Sequence, residues 1–164
     1  MMLFGILKET VYMDIFELIR KGELEELKHT IEGNPELLNS KDPKGFPPLI
    51  LAAYNDQGDI SSFLVEAGID INARDVAGNT ALMGVSFKGN PEIAEMLIES
   101  GAELNSQNFS GATALIYAAT FAQYEIVELL IQHGADKTIR DAKGLNAYEH
   151  AQNQGLKDIA DLLR

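Results

Sequence analysis

The chain has 164 residues, a formal net charge of −12 and no cysteine. The charge opposes general binding to DNA, RNA or anionic membranes. Without cysteine there is no disulfide and no thiolate chemistry, which fits a reducing compartment, and the expected localisation is cytoplasmic.

Residues 1–12 read as an N-terminal extension. Met1 to Leu7 is apolar apart from Gly5, and Lys8 and Glu9 come next. The stretch lacks a basic leader, a long apolar run and a small-residue cleavage site, so it reads as neither signal peptide nor anchor. Either Met13 is the true start, or Leu3, Phe4, Ile6 and Leu7 pack on the first helices.

Residues 13–41 fit an N-terminal capping unit. Ile15, Leu18, Ile19, Leu24, Leu27 and Ile31 form its inner stripe, while Glu23, Glu25, Glu26 and Lys28 face water. Asn39 falls 33 residues before Asn72, so this unit is in phase with the rest of the chain.

From there a fixed period governs the chain. Gly45, Gly78, Gly111 and Gly144 stand 33 residues apart. Asp42, Asp75, Asn108 and Asp141 each stand three residues earlier. Asp or Asn opens a tight turn because its side chain bonds the backbone further on, and Gly closes one at positive φ.

A short helix should come after each turn. Thr80 and Thr113 are N-caps, and Pro47-Pro48 and Asn146 occupy the same place in the other two. Ala52-Ala53, Ala118-Ala119 and Ala151 let neighbouring helices approach closely. A second helix carries Ile60, Phe63, Leu64; Ile93, Met96, Leu97; Ile126, Leu129, Leu130; and Ile159, Leu162, Leu163, each trio on one face. Gly68, Gly101 and Gly134 stop the first three of these helices in the left-handed conformation.

Period, turn, two helices and loop together resemble the ankyrin repeat family over about residues 13 to 164. The resemblance implies an all-α ankyrin-repeat solenoid of stacked helix-turn-helix units joined by β-turn/hairpin tips. Its internal repeats are 42–74, 75–107 and 108–140, and residues 141–164 form the C-terminal capping unit. The family's usual His is replaced by Ile50, Met83, Ile116 and Glu149. That puts its polar tie between repeats in doubt and favours tighter apolar packing there.

An enzyme needs a nucleophile, an acid–base pair or a metal cluster. His29, His133 and His150 lie in three different units, and adjacent Glu149 and His150 point about 100° apart on a helix. The glycines are periodic turns, not a phosphate loop. The reading is non-catalytic, with no cofactor and no metal.

Solenoids bind partners on the concave face formed by turn tips and inner helices. The candidate partner-binding residues are Lys44, Phe46, Tyr54, Asn55, Arg74, Asn79, Phe87, Lys88, Phe109, Thr120, Phe121, Arg140 and Lys143. This set holds five of the twelve aromatic residues, five of the thirteen basic ones and no acid. It points to another folded protein with an acidic surface and apolar pockets, and to neither nucleic acid nor membrane. Tyr54, Phe87 and Phe121 would anchor it; Arg74, Arg140 and Lys88 would steer it. The chain itself reads as a monomer, with self-association through the aromatic face as an alternative.

The run from Thr80 to Gly89 looks like small bacterial ankyrin proteins. Some of those are encoded beside catalases and support them against peroxide, so the resemblance implies a second alternative, an accessory role for a catalase or another oxidative-stress enzyme.

Overall fold

The computed structural model describes residues 14–164. The readings of Met1–Leu7 and of Met13 lie outside them. The described chain forms paired helices: α1 (Ile15–Lys21) with α2 (Leu24–Gly33), α3 (Pro48–Tyr54) with α4 (Gly58–Glu66), α5 (Ala81–Lys88) with α6 (Pro91–Glu99), α7 (Ala114–Thr120) with α8 (Tyr124–Gln132), and α9 (Ala147–Asn153) with α10 (Lys157–Leu162). A 3-10 turn, Pro35–Asn39, comes after α2 and was not anticipated from the sequence. The odd-numbered helices pack side by side as an inner row, and the even-numbered ones as an outer row.

The helices begin where the caps place them. Thr80 Oγ1 accepts from the Met83 N–H at 3.3 Å, and Thr113 Oγ1 from Ile116 at 3.2 Å. Asn146 and Glu149 cap α9 reciprocally, each side chain taking the other's backbone N–H at 2.9 Å. Outer helices α4, α6 and α8 end in the doubly bonded glycine motif. At α4, Ile69 N–H reaches Leu64 O at 3.1 Å and Gly68 N–H reaches Val65 O at 3.0 Å.

The core lies between the two rows. In each outer trio the first and last residues are buried and the middle one is half-buried: Ile60 and Leu64 with Phe63, Ile93 and Leu97 with Met96. Leu49, Leu82 and Leu115 fill equivalent inner positions at 1 % exposure, and burying such a side chain fully is worth about 1.5–3 kcal/mol. Phe16, absent from the expected inner stripe, is also buried.

The turns close as expected. The N–H of Gly45, Gly78, Gly111 and Gly144 meets the carbonyl of Asp42, Asp75, Asn108 and Asp141 at 2.8–3.0 Å. Adjacent tips also bond directly, Phe109 N–H to Ala77 O at 3.1 Å and Ala142 N–H to Ser110 O at 2.9 Å.

Ile50, Met83 and Ile116 are buried, so the positions of the missing His are packed as expected. Polar ties between repeats persist, carried by other residues. Lys41 Nζ donates to Arg74 O at 3.1 Å, Arg74 Nη1 to Gln107 O at 2.9 Å, and Gln107 Nε2 to Arg140 O at 3.2 Å. Each donor is one repeat before its acceptor. A second ladder runs from Glu103 N–H to Asn72 Oδ1 at 2.9 Å and from Asp136 N–H to Asn105 Oδ1 at 2.8 Å.

Candidate functional site

The repeat period sets side chains at the end of each inner helix beside their counterparts. Tyr54 ends α3 and Phe87 precedes the last residue of α5; their rings lie 6.5 Å apart and nearly parallel, at 10°. Phe121, just past α7, meets Phe87 edge-on, with centroids 4.5 Å apart. The three rings are 42 %, 40 % and 44 % exposed, so they form one contiguous apolar row open to solvent.

The sequence reading missed a fourth ring. Tyr117 sits one helical turn before Phe121, stacks on it at 6.2 Å and faces Phe87 edge-on at 6.3 Å. Its i, i+4 spacing to Phe121 was the available signal. Its hydroxyl accepts from Asn108 Nδ2 at 2.9 Å. Exposed Tyr124, at the start of α8, was also not singled out.

Below this row lies a cleft of about 440 Å³ between α3, α5 and the turn that begins at Asp75. Phe46 is half-buried and belongs to its wall, together with Ile50, Met83 and Gly84. Asn79 is at the tip end, where its Nδ2 donates to Asp75 Oδ2 at 3.3 Å and its Oδ1 accepts from Asn108 Nδ2 at 2.8 Å. Phe109 stands apart from the ring row, 76 % exposed at its tip. Asn55 is the exposed C-cap of α3, and Thr120 is turned back, its hydroxyl donating to Ile116 O at 2.7 Å.

The expected cationic set does not stand free of acids. Lys88 Nζ lies 3.6 Å from Asp56 Oδ2, 4.7 Å above the Tyr54 ring, and donates to Tyr54 O. Arg140 Nη1 pairs with Glu149 Oε2 at 2.6 Å and also donates to Gly144 O. Arg74 Nη1 is held by Gly78 O and Gln107 O, both at 2.9 Å. The acid-free face read from the sequence is therefore corrected: folding brings Asp56, Asp75 and Glu149 to it, and three of its five cations serve as internal ties. Lys44 and Lys143 remain exposed at the tips.

The histidines stay apart. His29 is exposed on α2, and His133 Nδ1 lies 2.9 Å from Leu129 O at the end of α8. His150 Nε2 lies 2.6 Å from Asp141 Oδ2. Burial pushes the Asp141 carboxyl up, but the hydrogen bonds from His150 and from the Leu145 and Lys143 amides outweigh it and hold the group below its ordinary value. Among the described residues, no three His, Cys, Asp or Glu side chains gather as a metal site, and no helix is long and apolar enough to cross a membrane.

A family model described as ankyrin repeats (3 copies) matches residues 15–108 and again residues 84–164. No curated protein matches the chain.

Proposed function

Because the chain belongs to the ankyrin repeat family, whose repeats are generally protein–protein interaction modules, we propose that it is a non-catalytic interaction module that binds a folded protein through its concave face and turn tips. The observation that carries this reading is the exposed row of Tyr54, Phe87 and Phe121. Half-exposed aromatics touching one another on a rigid scaffold have the composition and setting of interface hot spots. The adjoining cleft gives a partner side chain somewhere to go, and the pre-formed stack keeps the ordering cost of binding low. The support for an acidic partner narrows to Lys44 and Lys143, since Arg74, Arg140 and Lys88 are engaged within the chain.

The test is an affinity capture from native lysate with the wild type beside the Tyr54→Ala, Phe87→Ala, Phe121→Ala triple variant. A protein held by the wild type alone supports the concave face. Equal capture by both moves the site to the outer helices or caps. The alternatives separate in the same assay: self-association returns the chain itself, and the accessory reading returns a catalase or another oxidative-stress enzyme.

A further inference from the structure

Nine positions after each turn residue, on the next inner helix, stand Leu51, Gly84, Tyr117 and His150. In the last two repeats this residue serves its turn. His150 Nε2 meets Asp141 Oδ2 at 2.6 Å, and the Tyr117 hydroxyl accepts from Asn108 Nδ2 at 2.9 Å. Leu51 has no polar group to offer, and Asp42 Oδ2 instead takes Arg20 Nη2 from α1 at 3.0 Å. In the 75–107 repeat the position is Gly84, and among the described residues no cation takes its place. Among the described residues, Asp75 alone of the three turn aspartates forms no ion pair. Its Oδ1 takes the Ala77 and Asn79 amides at 2.9 Å, while Oδ2 holds only the long contact to Asn79 Nδ2 at 3.3 Å.

Packing does not require that glycine. A Cβ at position 84 would meet nothing nearer than Tyr54 Cδ2 at 3.9 Å, an ordinary contact. Glycine inside a helix costs stability relative to alanine. What it leaves here is the cleft, with the Asp75 carboxylate at the tip end and the Tyr54, Phe87 and Tyr117 rings around the rest.

We infer that this cleft is the receptor for one basic side chain, arginine or lysine, of the partner protein. Its aliphatic stem lies over Gly84 against Ile50 and Met83, and its cation reaches Asp75 Oδ2 beside the rings. Each part of the cleft suits that ligand. Long basic side chains bury an apolar stem and keep the charged head on a polar partner. Aromatic faces attract cations, and a carboxylate with a spare acceptor position forms a charge-assisted hydrogen bond. The net charge of −12 draws basic ligands towards the chain. The inference rests on the concave-face reading and specifies the group that face grips.

The test titrates Nα-acetyl-arginine methylamide into the full chain, with the leucine and glutamate analogues as controls, and tracks backbone amide NMR signals. Saturable shifts at Asn79, Gly84 and Phe87 are expected from the arginine probe alone. Asp75→Asn should weaken it about tenfold or more, the loss of one charge-assisted bond. Gly84→Leu should abolish it by filling the cleft. Asn108 and Leu51 occupy the equivalent positions of other repeats, so both variants retain side chains this fold accepts; thermal melts check them, and Asp75→Asn decides alone if the leucine variant does not fold. No saturable shift, an equal response to the leucine probe, or an unchanged Asp75→Asn response overturns the assignment. A partner lost by the triple aromatic variant but kept by Asp75→Asn and Gly84→Leu overturns the cleft and leaves the face standing. A partner kept by the triple variant removes the face itself.

Discussion

The rings of Tyr54 and Phe87 stand 33 residues apart in the chain and lie parallel, 6.5 Å between centroids. One repeat period carries one onto the other, so the stacking results from the solenoid's geometry. The proposed function turns on what such a row, left open to solvent, is for.

Tyr54→Ala with Phe87→Ala separates binding from folding. Removing the pair forfeits three ring contacts, Tyr54–Phe87, Phe87–Tyr117 and Phe87–Phe121, each worth about 0.5–1.5 kcal/mol, so thermal stability should fall measurably but less than for a core truncation. Partner affinity should fall by about 2 kcal/mol or more for each ring. Calorimetric melts beside a binding titration check both. A large stability loss with unchanged affinity would remove these rings from the interface.

Leu82→Ala should do the reverse. Its side chain is 1 % exposed and fills the seam between the rows. Truncation should cost about 2–5 kcal/mol, read by chemical denaturation, while any affinity measured on the folded fraction stays close to wild type.

Gly111→Ala and Gly144→Ala form a matched pair. Both glycines hold positive φ, +74° and +75°. A Cβ at Gly111 would lie 3.0 Å from the Ala142 backbone nitrogen, whereas one at Gly144 meets nothing within 4 Å. Each variant carries the left-handed penalty of about 1–2 kcal/mol, and Gly111→Ala adds crowding against the next tip. Denaturation midpoints should rank Gly111→Ala well below Gly144→Ala.

Much of this was legible in the sequence, and the limit has a physical form. Turn glycines, Thr caps and apolar trios are signals carried by single residues at fixed spacing, and they placed the turns and both helix rows. Pairings between side chains nine or 33 positions apart depend on which rotamer reaches across a turn or a repeat. The ladder through Arg74 and Gln107 therefore escaped, and Arg74 read as a free cation. Tyr117 escaped because its counterparts Leu51 and Gly84 are not aromatic, so the period concealed it. Gly84 itself read as one more helix residue; only the structure shows the cleft its missing side chain leaves.

Acid should weaken the turn held by Asp141 and His150. Burial raises the Asp141 carboxyl, the His150 and backbone hydrogen bonds overcome it, and the net shift is downward. Glu149 is lowered chiefly by its hydrogen bond to Arg140. A folded-state value below the unfolded one of about 3.9 for Asp contributes stability that is present above about pH 4 and lost as pH falls through the folded value. Stability measured by denaturation against pH should drop below about pH 4, and Asp141→Asn should flatten that limb. A slope unchanged by the substitution would count against the pair.

The most direct measurement is a calorimetric titration of the captured partner into the wild type, the Tyr54→Ala, Phe87→Ala, Phe121→Ala variant, and a control with Glu92→Ala and Glu95→Ala on outer helix α6. The concave-face account predicts binding lost in the aromatic variant and kept in the control. Binding kept in the aromatic variant and lost in the control would contradict it.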